Sequence, residues 1–298
     1  MTISGSDDKT WGIDNEYDVL TDVLLGRPDY YRWTDAGALT QRTFDNADRL
    51  GVTFDLQLAQ HQHRQMVDCY EDAGVACHYI RSDEHLHRNF FARDSNAMTP
   101  FGPIICHMQL KTRRPDYVTA IEFYQNAGIP IWNMVTAGHF EGGDFNIIEP
   151  GAVMVGYCGE RSEEAGSRQV ASWMEQQGWE ALLVPIPAHF IHMDALVVMI
   201  APKLAVACLD ALEDWVIDWL KARGIEFVPV GYRECVQSLG VNLVSLGDSK
   251  ILSMASSKDL NQRLRAMGFS VYDPDMSMFT LGGGGVHCLS QALHRKAG

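Results

Sequence analysis

The chain lacks the features that mark secreted, membrane-spanning or nucleic-acid-binding proteins. No apolar run approaches the roughly 20 residues of a membrane span. The first residues, MTISGSDDKTWGIDNEYD, are acidic and polar, so we expect no signal peptide. Basic side chains are scarce, since 24 Lys and Arg stand against 38 Asp and Glu and give a formal net charge of -14. A nucleic-acid partner needs a basic face, whereas this balance is compatible with a cationic substrate.

The chain also lacks C-x-x-C pairs and low-complexity linkers. Its seven cysteines are odd in number and scattered, which predicts a reduced, cytoplasmic protein rather than a disulfide framework. They are Cys69, Cys77, Cys106, Cys158, Cys208, Cys235 and Cys288. A chain with free thiols can keep one for catalysis.

An internal repeat organises the 298 residues, which we expect to form one domain over residues 1–298. Five times, an amphipathic helix-like run ends in a glycine and an apolar strand-like run follows. The glycines are Gly74, Gly128, Gly178, Gly224 and Gly268, at successive spacings of 54, 50, 46 and 44. Each fits a helix end that needs a left-handed conformation. The repeat predicts five strand-strand-helix-strand units closed into a ring around a central channel. A doubly wound α/β sheet is the alternative.

Strands are predicted at 19–25, 104–108, 153–157, 196–200, 204–208 and 243–246. A helix is predicted from Asp210 to Arg223, with Trp215 and Trp219 on its buried face.

Four short clusters recur at about the repeat spacing. They are FARD at 91–94, EGGD at 141–144, HMD at 192–194 and GGGGVHC at 282–288. The steps from Asp94 to Glu141, His192 and Cys288 are 47, 51 and 96 residues, that is one, one and two repeats. Equivalent places on successive units would face one axis and share a pocket.

The chemical types in these clusters fit together. A cysteine thiolate beside a histidine can attack an electrophilic carbon and pass a proton to a leaving amine. Several carboxylates without a His/Cys cluster of metal-ligand type indicate that the ligand itself is the cation. A planar guanidinium pairs bidentately with carboxylates, and its charge would favour the thiolate of Cys288.

The four clusters, in this order, resemble those of the guanidino-group modifying enzymes of the pentein, or five-bladed α/β propeller, superfamily. Arginine deiminases, dimethylarginine dimethylaminohydrolases, arginine dihydrolases, agmatine deiminases and amidinotransferases belong to it. The resemblance runs from the strand VLTDVLLGRP to Cys288. It implies an α/β fold of ββαβ units around a central active-site channel.

The resemblance also implies residue roles. Cys288 would be the nucleophile that attacks the guanidinium carbon and forms a covalent thiouronium intermediate. His192 would be the general acid and then the base, and Glu141 would hydrogen-bond both His192 and the guanidinium. Asp94 and Asp194 would clamp the guanidinium nitrogens. Two arginines would hold the substrate's α-carboxylate, namely Arg113 (or its neighbour Arg114) and Arg161. No metal or organic cofactor is implied.

The expected reaction is hydrolysis of the guanidino C–N bond of arginine or a close derivative, giving citrulline and ammonia or an amine. Asp194 two residues after His192 resembles deiminases and dihydrolases, while the chain length is nearer to dimethylaminohydrolases and dihydrolases. An amidinotransferase, a dihydrolase that continues to ornithine and a non-catalytic pentein are the alternatives. The expected partner is a small guanidino compound, with no nucleic acid and no membrane, and a homo-oligomer is left open.

Other residues are set aside. The pairs His61/His63 and His85/His87 have no third ligand nearby in sequence, so neither predicts a metal site. Arg88 beside FARD is interpreted as part of a solvated loop, with a place on the pocket wall as the alternative, and His287 as a residue that supports the site rather than the acid/base. The loop containing Tyr31 and Trp33 either covers the ligand or lies at the surface.

Overall fold

The computed structural model describes residues 11–33 and 38–297, and for residues 38–42 the backbone alone. Residues 1–10, part of the segment for which no signal peptide is expected, lie outside the described residues. In the described part of the chain, no helix combines the length and the apolar character that a membrane crossing requires.

Within the described residues, the strands form five sheets of three strands each. They are β1 (Val19–Gly26), β2 (Ala76–Ile80), β3 (Asn96–Thr99), β4 (Gly102–Ile105), β5 (Asn133–Met134), β6 (Phe145–Glu149), β7 (Ala152–Tyr157), β8 (Glu180–Pro185), β9 (Val197–Ala201), β10 (Leu204–Ala207), β11 (Glu226–Pro229), β12 (Val244–Gly247), β13 (Lys250–Leu252), β14 (Ser270–Tyr272) and β15 (Gln291–Lys296). The sheet orders are β15-β1-β2, β3-β4-β5, β6-β7-β8, β9-β10-β11 and β12-β13-β14. The middle strand of each sheet is antiparallel to the first and parallel to the third.

A helix precedes the third strand of every sheet, because two parallel neighbours need a crossover connection. The helices are α1 (Ala38–Leu50), α2 (Leu56–Asp72), α3 (Asp116–Asn126), α4 (Glu164–Gln176), α5 (Asp214–Ala222), α6 (Tyr232–Ser238), α7 (Lys258–Ala266) and α8 (Ser277–Leu281). The crossovers are made by α2, α3, α4, α5 and α7, so the predicted ββαβ repeat is confirmed.

The five repeat glycines end these five helices as the sequence predicts. Their φ angles lie between 68° and 96°, in the left-handed region. The residue after each glycine donates its N–H back into the last turn, as Val75 does to the Tyr70 carbonyl at 2.9 Å. This is the Schellman arrangement, which satisfies carbonyls that the helix end leaves free.

Contacts between neighbouring sheets close the ring. β15 contacts β3, the turn at residues 142–144 contacts β3, β6 contacts β9, β9 contacts β12, and β12 contacts β1. The pairing of β15 with β1 joins the two ends of the described chain. The fold is therefore the five-bladed α/β propeller that the repeat and the resemblance predict.

The helix predicted from Asp210 is partly wrong. A short 3-10 turn at Leu209–Ala211 comes first, the next two residues are extended, and α5 begins at Asp214. Val216 and Leu220 are buried as expected, but Trp215 is 44% exposed. Trp219 donates its indole N–H to Glu180. The i, i+3, i+4 pattern continues across the extended residues, which is why it overstated the helix and its buried face.

Candidate active site

Five segments, one from each sheet, lie close together in the structure. Each lies just before the first strand of its sheet. Asp94 precedes β3, Glu141 precedes β6 through the turn at 142–144, and His192 precedes β9 through the turn at 193–195. Cys288 precedes β15, and Asn242 holds the corresponding place before β12. The topology thus brings together residues far apart in sequence.

A small cavity lies among these segments. The residues on its wall that bear on chemistry are Arg88, Asp94, Arg161, His192, Asp194, Asn242 and Cys288. Glu141 is fully buried behind His192, and Arg113, at 2% exposure, is not on the wall.

The His192 imidazole is held by a buried carboxylate. Its Nε2 lies 3.0 Å from Glu141 Oε2, and Arg161 donates to the same oxygen at 3.1 Å. Burial lowers the pKa of His192, but the hydrogen bond with Glu141 and the charges of Asp144 and Asp94 outweigh burial and raise it to about 9. The imidazole is therefore protonated at neutral pH and has a proton to give.

Asp94 is oriented by Arg113. Arg113 Nη1 donates to Asp94 Oδ2 at 2.5 Å, and its Nε donates to Asp116 Oδ2 at 2.9 Å. Its remaining terminal nitrogen donates to the Arg88 carbonyl at 3.1 Å. Arg113 is thus engaged with groups of the chain itself, whereas Arg161 both contacts Glu141 and reaches the cavity wall.

The Cys288 thiol is 9% exposed and lies between an amide and a carboxylate. Asn242 Nδ2 lies 3.1 Å from Sγ, and Asp194 Oδ2 lies 3.7 Å from it. Burial together with the charges of Asp194 and Asp94 raises the pKa of the Cys288 thiol well above its ordinary value. Without a cation in the cavity, the sulfur remains a thiol at neutral pH.

A second buried chain of charges supports Asp194. Its Oδ2 lies 2.8 Å from His287 Nδ1, whose Nε2 faces Glu16 at 3.9 Å. Glu16 in turn accepts from Arg93 at 3.0 Å. Burial alone would raise the pKa of Asp194, but the hydrogen bond with His287 lowers it. Asp194 is therefore ionised, and His287 contacts it directly as a supporting residue.

Three buried carboxylate oxygens of the predicted site have no hydrogen-bond partner in the described chain: Asp94 Oδ1, Glu141 Oε1 and Asp194 Oδ1. An ionised carboxylate only accepts hydrogen bonds, and leaving one unpaired in a protein interior is costly. Two of the three belong to residues that line the cavity together with Cys288 and His192. The arrangement suits a planar cation with several N–H donors.

One group in the described residues has the spacing of a metal site. Asp94, Glu141 and His192 offer ligand atoms within 4.8 Å of one another. Arg113 and Arg161 already pair with the two carboxylates. A metal ion would need the lone pair of a neutral imidazole, whereas the pKa of His192 is raised to about 9 and its ring is protonated at neutral pH.

The glycine run before Cys288 is required by close approaches. A side chain at Gly284 would place its Cβ 2.3 Å from the Phe91 ring, and one at Gly285 would place it 2.5 Å from Asn242 Oδ1. These two glycines let residues 284–288 lie against the FARD segment and against Asn242.

The contacts of the loop with Tyr31 and Trp33 and of Arg88 bear on two sequence interpretations. Tyr31 and Trp33 both donate to the Met278 carbonyl, at 3.1 and 2.9 Å. Their loop thus packs on α8, next to the glycine run. Arg88 lies on the cavity wall and donates to the Gly282 carbonyl at 3.1 Å, so its interpretation as part of a solvated loop was wrong.

Sequence reasoning missed Asn242 and Glu16. A signal for Asn242 was present in the spacing. Asn242 lies 50 residues after His192 and 46 residues before Cys288, so it divides their separation of 96 residues into two single repeats. Glu16 lies outside the repeat, on the segment before β1, and no spacing identifies it.

Comparisons with known proteins agree with this architecture. The chain is 26% identical over 282 residues to the uncharacterized protein YkgA of Bacillus subtilis (strain 168), covering 94% of each. It also resembles solved structures. The N-terminal domain of ArgZ, a cyanobacterial arginine dihydrolase, superposes with a TM-score of 0.80 at 16% identity, covering 93% of this chain and 98% of that one. A dimethylarginine dimethylaminohydrolase (DDAH) from Pseudomonas aeruginosa, a mutant complexed with citrulline, gives a TM-score of 0.73 at 17% identity, covering 92% and 99%.

The family comparison is the most specific. Residues 27–295 match the family model of eukaryotic N,N dimethylarginine dimethylhydrolases. That span contains all five convergent segments of the site. The chain therefore belongs to this family of guanidino hydrolases in the pentein superfamily.

Proposed function

We propose that the protein hydrolyses a guanidino C–N bond of arginine or an N-methylated arginine, with Cys288 as nucleophile and citrulline as product. The observation that carries this proposal is that Asp94 and Asp194, which both line the cavity with Cys288, each have a buried carboxylate oxygen without a hydrogen-bond partner in the described chain. A guanidinium placed between them would satisfy both with N–H donors and would put its carbon near the sulfur.

Binding of the cation prepares the nucleophile. The pKa of the Cys288 thiol is raised by burial and by Asp194 and Asp94. A guanidinium between these carboxylates cancels much of their charge at the sulfur, so the thiol loses its proton to solvent more readily. The enzyme is thus most nucleophilic when its substrate is present.

His192 handles both proton transfers. The thiolate attacks the guanidinium carbon and forms a C–S bond, and protonated His192 gives its proton to the departing amine as the C–N bond breaks. The products of this half-reaction are a thiouronium cation on Cys288 and neutral His192. Water then gives His192 a proton and adds to the thiouronium carbon. The C–S bond breaks with its electron pair on sulfur, the added hydroxyl gives its remaining proton to solvent as the C=O bond forms, and the neutral ureido product leaves.

Arg161 and Arg113 are proposed to bind the substrate's α-carboxylate. Arg161 is already on the cavity wall. Both terminal nitrogens of Arg113 are engaged, one with Asp94 and the other with the Arg88 carbonyl. Arg113 can therefore bind the substrate only if it exchanges one of these hydrogen bonds for the substrate's carboxylate. Arg88, also on the wall, is a third cation within the same cavity.

The test is a product assay across arginine, monomethyl- and dimethylarginine, agmatine and short guanidino acids, each with and without glycine. The proposal predicts citrulline from at least one arginine compound, no dependence on glycine, and much weaker turnover of agmatine, which has no carboxylate. The Cys288→Ser variant is the control and should be inactive. Formation of a guanidino-glycine product, or of citrulline by Cys288→Ser, would contradict the proposal.

A further inference from the structure

Asn242 holds the fifth place around the cavity. The other four sheets contribute Asp94, Glu141, His192 and Cys288 at the same position before the first strand. Asn242 is 1% exposed and lies on the cavity wall. The other four positions carry two carboxylates, an imidazole and a thiol, whereas Asn242 carries a neutral amide.

Hydrogen bonds fix which end of this amide faces the sulfur. Asn242 Oδ1 accepts from the backbone N–H groups of His287 at 3.1 Å and Cys288 at 3.4 Å. Backbone N–H groups only donate, so the oxygen must be on that side and the NH₂ group must be on the other. Nδ2 consequently points at Cys288 Sγ, 3.1 Å away.

Neighbouring groups leave the amide little freedom. Gly285, whose added Cβ would lie 2.5 Å from Asn242 Oδ1, allows this close approach. The Asn242 backbone N–H bonds to the Leu239 carbonyl at 2.8 Å, and the N–H of Leu243 bonds to the Val241 carbonyl at 2.8 Å. A donor held in place before the reaction costs no reorganisation when charge develops on its acceptor.

We infer that Asn242 is a further catalytic residue, whose NH₂ group stabilises the Cys288 thiolate. The inference rests on the proposed nucleophilic role of Cys288. The amide acts whenever sulfur carries an electron pair, first when the thiol gives its proton to solvent and again when the C–S bond breaks to release product. It counteracts the two carboxylates, Asp194 and Asp94, which disfavour the thiolate.

The experiment measures the thiol directly and needs no substrate. Cys288 is alkylated with iodoacetamide from pH 6 to 10.5, and the modified peptide is quantified by mass spectrometry so that the other cysteines do not interfere. A hydrogen bond to a charged acceptor is lost in Asn242→Ala and in the neutral, nearly isosteric Asn242→Leu. We expect alkylation of both to slow about 10- to 100-fold at pH 8, with the pH profile displaced to higher pH.

Control variants separate this role from a structural one. Asn261→Ala removes another buried amide, bonded to Ser253 and the Met254 carbonyl, and should leave the Cys288 profile unchanged. Asn242→Leu keeps the volume of the side chain and adds no charge beside the sulfur, so it answers the question even if Asn242→Ala fails to fold. A profile of Asn242→Ala, or of Asn242→Leu where the alanine variant is unfolded, that superimposes on wild type would overturn the inference. Because the assay uses no substrate, that result is distinct from a failure to find turnover of arginine compounds.

Discussion

Replacing Asp194 with Asn should make the free enzyme's thiol more reactive while it lowers turnover. Asp194 Oδ2 lies 3.7 Å from Cys288 Sγ and accepts from the thiol, so its charge stabilises the protonated form. At an effective dielectric constant of about 20, a unit charge at this distance interacts with a thiolate by about 4 kcal/mol. That energy corresponds to about three pKa units and is an upper bound, because His287 lies 2.8 Å from the same oxygen.

We therefore expect Asp194→Asn to lower the thiol pKa by about one to three units. The assay is the pH dependence of Cys288 alkylation without substrate. Turnover should fall about 100-fold in the same variant, because a charged acceptor for the guanidinium is lost. Asp116→Asn is the matched control, since this buried carboxylate contacts Arg113 rather than the sulfur. An unchanged or raised thiol pKa in Asp194→Asn would refute the electrostatic reasoning.

The remaining predictions concern packing, protonation, substrate binding and acid stability. Gly285→Ala should lose at least tenfold in turnover and melt at a lower temperature, because the added Cβ would lie 2.5 Å from the amide oxygen of Asn242. Gly231→Ala is the control: an added Cβ there has no atom within 4 Å, so this variant should match wild type in a thermal melt and in an activity assay. The rate should fall above pH 9 as His192, with its pKa raised to about 9, loses the proton needed by the leaving amine, and a rate that still rises at pH 10.5 would be inconsistent with this role. Arg161→Ala should raise KM for arginine at least tenfold and change KM for a guanidino compound without carboxylate far less, and equal effects on both would remove Arg161 from the carboxylate site. Glu16 has its pKa lowered to about 2, since Arg93 and His287 outweigh burial, so the stability it contributes is present above about pH 4.5 and lost towards pH 2. In Glu16→Gln, the melting temperature should therefore fall less between pH 4.5 and pH 2 than in wild type. An unchanged pH dependence of the melting temperature in this range would argue against the ionic contacts of Glu16 with Arg93 and His287.

The fold was predictable because its repeat leaves a local mark five times. A glycine is needed wherever a helix ends in a left-handed residue, and all five predicted glycines adopt that conformation. Helix starts are marked less clearly. The structure has extended residues at Leu212 and Glu213, where the apolar pattern continued without interruption.

The site was predictable where its residues carry an unusual type in a short motif. Cys288, His192, Glu141, Asp94 and Asp194 each stand in such a cluster, and the structure brings them together. The partners of charged side chains that pair within the chain are harder to predict from the sequence. Whether an arginine faces a ligand or a neighbouring carboxylate depends on distances set by the fold, and the sequence holds no sign that Arg113 would contact Asp94 and Asp116.

The role of Asn242 also could not be predicted from its sequence neighbours. Its sequence neighbours, LGVNLVSL, read as the start of an apolar strand. Its importance comes from the orientation of its amide, which two backbone N–H groups from a segment 45 residues away determine. Only the equivalence of its place with the other four segments marks it in the sequence.

The central claim is that Cys288 forms a covalent thiouronium intermediate, and trapping that species tests it most directly. Enzyme turning over an arginine compound is quenched in acid and measured by intact-protein and peptide mass spectrometry. The account predicts an added mass equal to the substrate less the departing amine, located on Cys288 and absent from Cys288→Ser. An adduct on another cysteine, or turnover by Cys288→Ser without any adduct, would contradict it.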